Sequence, residues 1–172
     1  MLVVFICLLP FWKFKIPDRQ YWLPLFCFSI AMGFLANVFM YKVDKSFIVF
    51  NGHLAEFGYY FYGVDGLRRY CEDKGCTPKL YNKLKIGPIT FQTTESFKKE
   101  VRENSIIIVN PRIMSISEDC KKWSSQSDIL NENQELCASI ASNGAFMDHS
   151  SRKVASPPQV IQEKWRLLLE VN

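Results

Sequence analysis

The first forty residues show almost no alternation of apolar and polar positions. The run Met1–Trp12 is apolar, a short basic patch follows, and Trp22–Tyr41 then carries no charge over twenty residues. Twenty uncharged residues suffice for a helix to cross roughly 30 Å of hydrocarbon, so this segment is expected to be a transmembrane helix. Tyr21, Trp22 and Tyr41 place amphipathic rings at its two ends, and Pro24 falls in a first turn, where a helix tolerates it. Residues 1–16 are short for a span and are disturbed by Pro10. They are expected as a first short membrane helix forming a hairpin with the next, as an interfacial segment, or as the remnant of a longer span. The basic residues follow the apolar run, the reverse of a cleaved signal peptide.

Lys13, Lys15 and Arg19 precede the main span and would hold that side in the cytoplasm, which puts residues 45–172 outside it. The expected location is a bacterial inner membrane with the soluble domain in the periplasm. Within the span Ser29, Gly33 and Asn37 recur every four residues, giving one helix face that a second helix could approach closely.

Beyond the span the pattern changes. SFIVF reads as a strand before Asn51-Gly52, a pair suited to the positive φ angles of a tight turn. Five rings follow in Phe57, Tyr59, Tyr60, Phe61 and Tyr62, and Leu67–Asp73 reads as a short helix ending near Gly75. KIGPITF resembles an edge strand, TTESFKKEVREN a capped helix, and SIIIVNP a buried strand stopped by Pro111. From Ser117 the apolar positions Leu130, Leu136 and Ile140 read as helical up to Asn143-Gly144. After Pro157-Pro158, Val160, Ile161, Trp165, Leu168 and Leu169 make one apolar helix face. Strand, helix and strand in the middle allow a small mixed α+β domain or a split βαβ arrangement.

Composition supports a folded core: 15% of residues are aromatic and 22% charged, unlike a disordered chain. A net charge of +4 is weak, and the richest basic stretch, Arg68 to Arg102, is broken by Glu72, Asp73, Glu95 and Glu100. Nucleic-acid binding is therefore not expected. Cys71, Cys76, Cys120 and Cys137 fall in the soluble domain, and outside the cytoplasm they would pair as two disulfides. Three pairings are open; the simplest, Cys71–Cys76 and Cys120–Cys137, closes two local loops worth about 2–4 kcal/mol each. The spacing in CEDKGC suits neither a zinc site nor a redox dithiol, so no metal or cofactor is expected.

Familiar catalytic signatures are missing: there is no phosphate-binding glycine loop, HExxH or GxSxG. His53 with Glu56 could form an acid–base pair or a polar rim, and Asp148-His149-Ser150 are chain neighbours, which a triad is not. The expected function is non-enzymatic: a membrane-anchored protein-binding module of the cell envelope, of immunity or inhibitor type. Phe57 and Tyr59–Tyr62 would supply the contact. The alternative is an accessory subunit of a membrane complex, and an envelope enzyme ranks third. Partners would be another protein and membrane lipid.

Overall fold

A computed structural model describes residues 37–170. The elements in that range are strand β1 (Phe39–Lys42), helix α1 (Glu56–Asp73), helix α2 (Pro78–Leu84), strands β2 (Ile86–Phe97), β3 (Ile106–Ile116), β4 (Lys122–Leu130) and β5 (Leu136–Asp148), and helix α3 (Gln159–Glu170). The strands form one sheet in the order β1-β3-β4-β5-β2, and every neighbouring pair is antiparallel. β1 and β2 are the two edges, and β2, twelve residues long, is the longer.

Helix α1 lies on one face of this sheet, packed on β3, β4 and β5. Its inner side is made of tyrosines and glycines: Tyr59, Tyr62 and Tyr70 are buried, and so are Gly58, Gly63 and Gly66. At Gly63 and Gly66 a Cβ would press on Ile140 and Val109, so the absent side chains let the helix backbone settle close to the sheet. Two apolar clusters result. One, at the start of α1, gathers Leu54, Tyr59, Tyr62, Val101, Ile107, Val109, Ile129 and Ile140. The other, at its end, gathers Tyr70, Ile113, Trp123, Phe146, Ile161, Trp165 and Leu168, and so fixes α3. Trp165 donates from its indole to the Tyr81 hydroxyl at 3.0 Å, and the Tyr70 hydroxyl donates to the Leu168 carbonyl at 2.9 Å, which satisfies the polar tips of buried rings.

This architecture corrects the mixed split βαβ expectation: all pairing is antiparallel, and the span read as helical from Ser117 to Gly144 is the β4–β5 hairpin. Along β4 the residues facing α1 are Trp123, Ser125, Ser127 and Ile129, so two serines stand where alternation would show apolar side chains. TTESF, expected to begin a helix, continues β2 to Phe97. β3 runs through Pro111 to Ile116; β1 pairs only with Ile106–Val109, so at Pro111 one side of β3 is unpaired and the missing N–H costs no ladder bond. SFIVF forms a short 3₁₀ turn at Lys45–Phe47 and a single bridge between Ile48 and Leu54. The Asn51-Gly52 turn is present, with Gly52 at φ +83°.

The end of the uncharged run is also corrected. Phe39–Tyr41 is strand, in register with Val109–Ile107, so a helical span does not extend to Tyr41. Asn37 sits in the turn leading into β1, not on a helix. Ser29, Gly33, the remainder of the Trp22–Tyr41 run up to residue 36 and residues 1–16 lie outside the described residues. Among those described, no helix is long and apolar enough to cross a membrane.

Cys71, Cys76, Cys120 and Cys137 are all free and buried. Cys120 lies in the β3–β4 turn and Cys137 opens β5, at opposite ends of β4. Nine residues of strand separate those ends, roughly 30 Å, several times the reach of a disulfide. Cys71 and Cys76 flank the end of α1, where the Cys76 N–H closes a turn on the Cys71 carbonyl at 2.8 Å, and burial raises the pKa of both thiols. Thermal unfolding with and without dithiothreitol is therefore expected to give the same midpoint. A drop of about 5 °C or more on reduction would show a stabilising bridge after all.

Candidate functional site

Edge strand β2 reaches past the helix that covers the rest of the sheet. The two elements meet where the Tyr59 and Phe97 rings stack edge-on, with centroids 5.3 Å apart. Inward-facing positions on β2 are read from its register with β5: Phe97 opposite Ala138, Glu95 opposite Ile140, Thr93 opposite Ser142. From α1, Glu56 lies near enough to Glu95 for their charges to interact, and Tyr60 follows it at a spacing of four. The candidate cleft is this junction of α1 and β2, bordered by two carboxylates, the Tyr59 ring and a threonine.

Glu95 stands out electrostatically. Partial burial raises its pKa, and the neighbouring charge of Glu56 raises it further. Each other described carboxylate with a resolved shift moves down: Asp44, Asp65, Asp119, Glu135 and Asp148 are held low by hydrogen bonds from Ser46, from Arg68 and Tyr41, from Ser117 and Lys121, from Lys99 and Asn131, and from Ser151. Those are carboxylates in structural roles. A carboxylate made easier to protonate, at the border of a cleft, is suited to taking a proton from water and giving it up again.

The start of α1 adds a second element. Its N-cap residue Ala55 makes no side-chain cap, and its own N–H donates to the Phe47 carbonyl at 2.8 Å. The first N–H groups of the helix, at Glu56 and Phe57, have no partner within it and point the positive end of the helix dipole outward. Leu54 N–H to the Val101 carbonyl, 2.7 Å, and Val101 N–H to the Tyr59 hydroxyl, 2.9 Å, hold this end in place.

The floor beneath the cleft is polar. Ser125, Ser127 and Ser142 are the buried polar residues of the described range, and all three face α1. Ser125 lies opposite Ser142, and Ser142 opposite Thr93, so three hydroxyls form one row across β4, β5 and β2. Ser142 and Thr93 share a hydrogen bond of 3.2 Å, and Ser127 donates to the Gly63 carbonyl at 2.9 Å.

Several residues singled out in the sequence lie elsewhere or act differently. His53 bridges through its backbone to Arg102, and no hydrogen bond or ion pair joins it to Glu56. Asp148 caps the turn after β5, accepting from Ser150 N–H at 3.1 Å and Ser151 N–H at 2.6 Å, while His149 packs over Gly87; no triad forms. The aromatic run is divided: Tyr59 and Tyr62 enter the core, Phe57, Tyr60 and Phe61 remain exposed. Glu95 had no signal beyond its place in a charge pattern. A surface hollow of about 250 Å³ near Glu100, Arg102 and Glu132 has its acids already engaged, Glu100 by Arg102 at 2.8 Å and Glu132 by the Ile106 N–H at 3.2 Å.

Comparison with known proteins places this geometry. Residues 38–165 match the family model of the thioesterase-like superfamily. Similar solved structures include the protein SAV2348 of Staphylococcus aureus in complex with CoA, with TM-score 0.74 and 15% identity over 79% of this chain and 85% of that one. The DHNA-CoA thioesterase of Staphylococcus aureus gives TM-score 0.70 and 13% identity over 76% and 89%. Slr0204, a 1,4-dihydroxy-2-naphthoyl-CoA thioesterase from Synechocystis, gives 0.67 and 13% over 74% and 93%. A search of the curated proteins finds no significant match.

These matches replace the reading of a non-enzymatic envelope module, whether immunity-type binder or accessory subunit. The inner-membrane and periplasmic placement is corrected with it: residues 38–165 match a thioesterase-like domain, its four cysteines are free, and Phe39–Tyr41 of the run read as a span is strand. The ligand seen among the similar structures is a small molecule, CoA. With one long helix laid on a five-stranded antiparallel sheet and a family match over residues 38–165, the chain belongs to the thioesterase-like superfamily and has its hotdog fold.

Proposed function

We propose that the protein hydrolyses an acyl thioester of coenzyme A in the cleft between α1 and β2. The observation that carries this reading is Glu95: a carboxylate with a raised pKa, beside Glu56 at the start of α1, in a thioesterase-like domain. The CoA complex of SAV2348 and the thioesterase activity named for two other similar structures support the substrate class.

The chemistry follows from the groups present. Glu95 takes a proton from water as the oxygen attacks the thioester carbonyl. Negative charge gathers on the carbonyl oxygen, and the unpartnered N–H groups of Glu56 and Phe57 at the helix start are the donors placed to receive it. The C–S bond then breaks, and the thiolate leaves with a proton returned from Glu95, giving a free acid and a thiol.

The test is release of free thiol from a panel of acyl-CoA esters by the purified full chain. Turnover is expected, with kcat falling as pH is lowered and Glu95 becomes protonated. Because burial and Glu56 raise its pKa, that limb is displaced above the range of an ordinary glutamate. No thiol release from any short, long or aromatic acyl-CoA would overturn the reading.

A further inference from the structure

After β2 the chain runs through residues 98–102, and this short segment is fixed at both ends. The Lys98 and Lys99 N–H groups both donate to the Cys137 carbonyl of β5, at 2.7 and 3.1 Å. Further on, the Val101 carbonyl accepts from the Leu54 N–H just ahead of α1 at 2.7 Å, and His53 and Arg102 form a backbone bridge. Between those anchors stands one side chain of α1. The Tyr59 hydroxyl accepts from the Val101 N–H at 2.9 Å and donates to the Lys99 carbonyl at 3.4 Å, while its ring stacks on Phe97. Tyr59 is 4% exposed and Val101 2%, so no solvent is at hand to replace that hydroxyl. Burial raises the Tyr59 pKa, which keeps the hydroxyl neutral and the link unchanged across the range where a carboxylate titrates.

The contacts of this one residue reach both walls of the cleft. Glu56 lies three residues before it, and the N–H groups of Glu56 and Phe57 open the same helical turn. Glu95 lies two residues before Phe97 on the same face of β2, roughly 7 Å along the strand. A hydroxyl bonded to the 98–102 segment and a ring stacked on Phe97 thus tie the helix start to the strand end at two points. The other buried tyrosines of α1 serve elsewhere: the Tyr62 hydroxyl accepts from the Asp44 N–H at 2.8 Å, and the Tyr70 hydroxyl donates to the Leu168 carbonyl at 2.9 Å.

We propose that Tyr59 is a positioning residue for the hydrolysis, its hydroxyl and ring holding the first N–H groups of α1 and the Glu95 carboxylate at one working separation without touching the substrate. This rests on the reaction proposed above. Without the hydroxyl, the buried Val101 N–H loses its acceptor and the helix start is free to draw away from β2. Catalysis is steep in such a displacement, since about 1 Å of misplacement can cost roughly 100-fold in rate.

The test compares Tyr59→Phe with Tyr70→Phe, which removes a buried hydroxyl from the far end of the same helix. Two quantities are read in the full chain: kcat and KM for thiol release from acyl-CoA esters, and the titration of Glu95 by NMR in protein carrying ¹³C-labelled glutamate, assigned with Glu95→Gln. Toward this end of β2, α1 presents Glu56 and Tyr59 and β5 presents the uncharged Ala138 and Ile140; Glu56 is the charge that acts on Glu95. Tyr59→Phe is expected to lower kcat roughly tenfold or more with KM within about twofold. Glu95 should titrate lower in it, nearer an ordinary glutamate, as the carboxyl gains water and Glu56 recedes. Tyr70→Phe should melt earlier than the parent with both readouts unmoved.

Phe97→Leu, at a half-exposed position, tests the ring contact by the same readouts and in the same direction should Tyr59→Phe fail to fold. Parent kcat and parent Glu95 titration in Tyr59→Phe, or equal losses in Tyr70→Phe, would overturn the positioning role and leave the hydrolysis standing. A parent that releases no thiol, with Glu95 still titrating lower in Tyr59→Phe, would sink the hydrolysis and keep the link from Tyr59 to Glu95. No release and no change in titration would sink both.

Discussion

Glu95→Gln is expected to lower kcat for thioester hydrolysis by roughly 10²–10⁴-fold with the fold intact, because it removes the proton acceptor and keeps the shape of the side chain. The residual rate should lose the acid limb seen in the parent. Stability provides a second and opposite signature. A carboxylate whose folded-state pKa is raised binds its proton more tightly folded than unfolded. Its favourable contribution is present below the unfolded pKa and lost as pH rises through the folded one, so at neutral pH the charged Glu95 works against folding. The amide has no such charge, and the variant should melt at the parent temperature or slightly above it. Loss of activity accompanied by a lower melting point would point to damage, and full activity in Glu95→Gln would remove Glu95 from the mechanism.

Gly144→Ala should be among the most damaging single changes in the domain. Gly144 sits between Trp123 on β4 and Thr90 on β2, and the Trp123 indole lies directly over it. An added methyl would fall inside van der Waals contact of that ring and of the Ile89 backbone carbonyl oxygen. The ring has no free volume to move into, because Trp165 packs against it with centroids 5.6 Å apart. Moving Ile89 would break the β2–β5 pairing that carries Thr93 and Glu95. Overpacking against backbone costs about 3 kcal/mol, the upper end of what such changes do, or roughly 10 °C of melting temperature. Gly52→Ala is the useful contrast. Gly52 has a positive φ of 83° but nothing within 4 Å of the added carbon, so conformation alone contributes, about 1 kcal/mol. Equal melting points for the two variants would contradict this account of Gly144.

How much of this was legible in the chain depends on what each face of an element buries. Helix α3 was readable because Ile161, Trp165 and Leu168 recur at helical spacing and are all buried. The core of β3 and the edge character of KIGPITF were readable from β-branched runs and from a proline tolerated at a sheet edge. α1 was shortened in the reading because three glycines weaken its helical signal, though in the fold they are what brings it down onto the sheet. β4 and β5 were misread outright. Their inward positions hold Ser125, Ser127 and Ser142, so the period of two that marks a half-buried strand was erased where the strands matter most. Local rules fail where an inward position is not apolar, and the hydroxyl row that hid these strands lies on the face of the sheet that α1 covers. The apolar run before β1 misled in the other direction: its last three residues, Phe39–Tyr41, belong to a strand whose Tyr41 hydroxyl donates to Asp65 at 2.9 Å. Glu95 could not be found from sequence at all, because its environment is assembled by β2 and α1, some forty residues apart.

The hydroxyl row also divides the domain mechanically. With apolar packing interrupted under the middle of α1, the cluster holding α3 and the cluster holding Tyr59 and Val101 are joined by the helix backbone and the sheet ladder, not by a continuous greasy core. Such an arrangement lets one end loosen while the other stays shut. Amide exchange should then sort the domain into two blocks with separate opening energies, and the seam between them would run beneath the cleft proposed for hydrolysis.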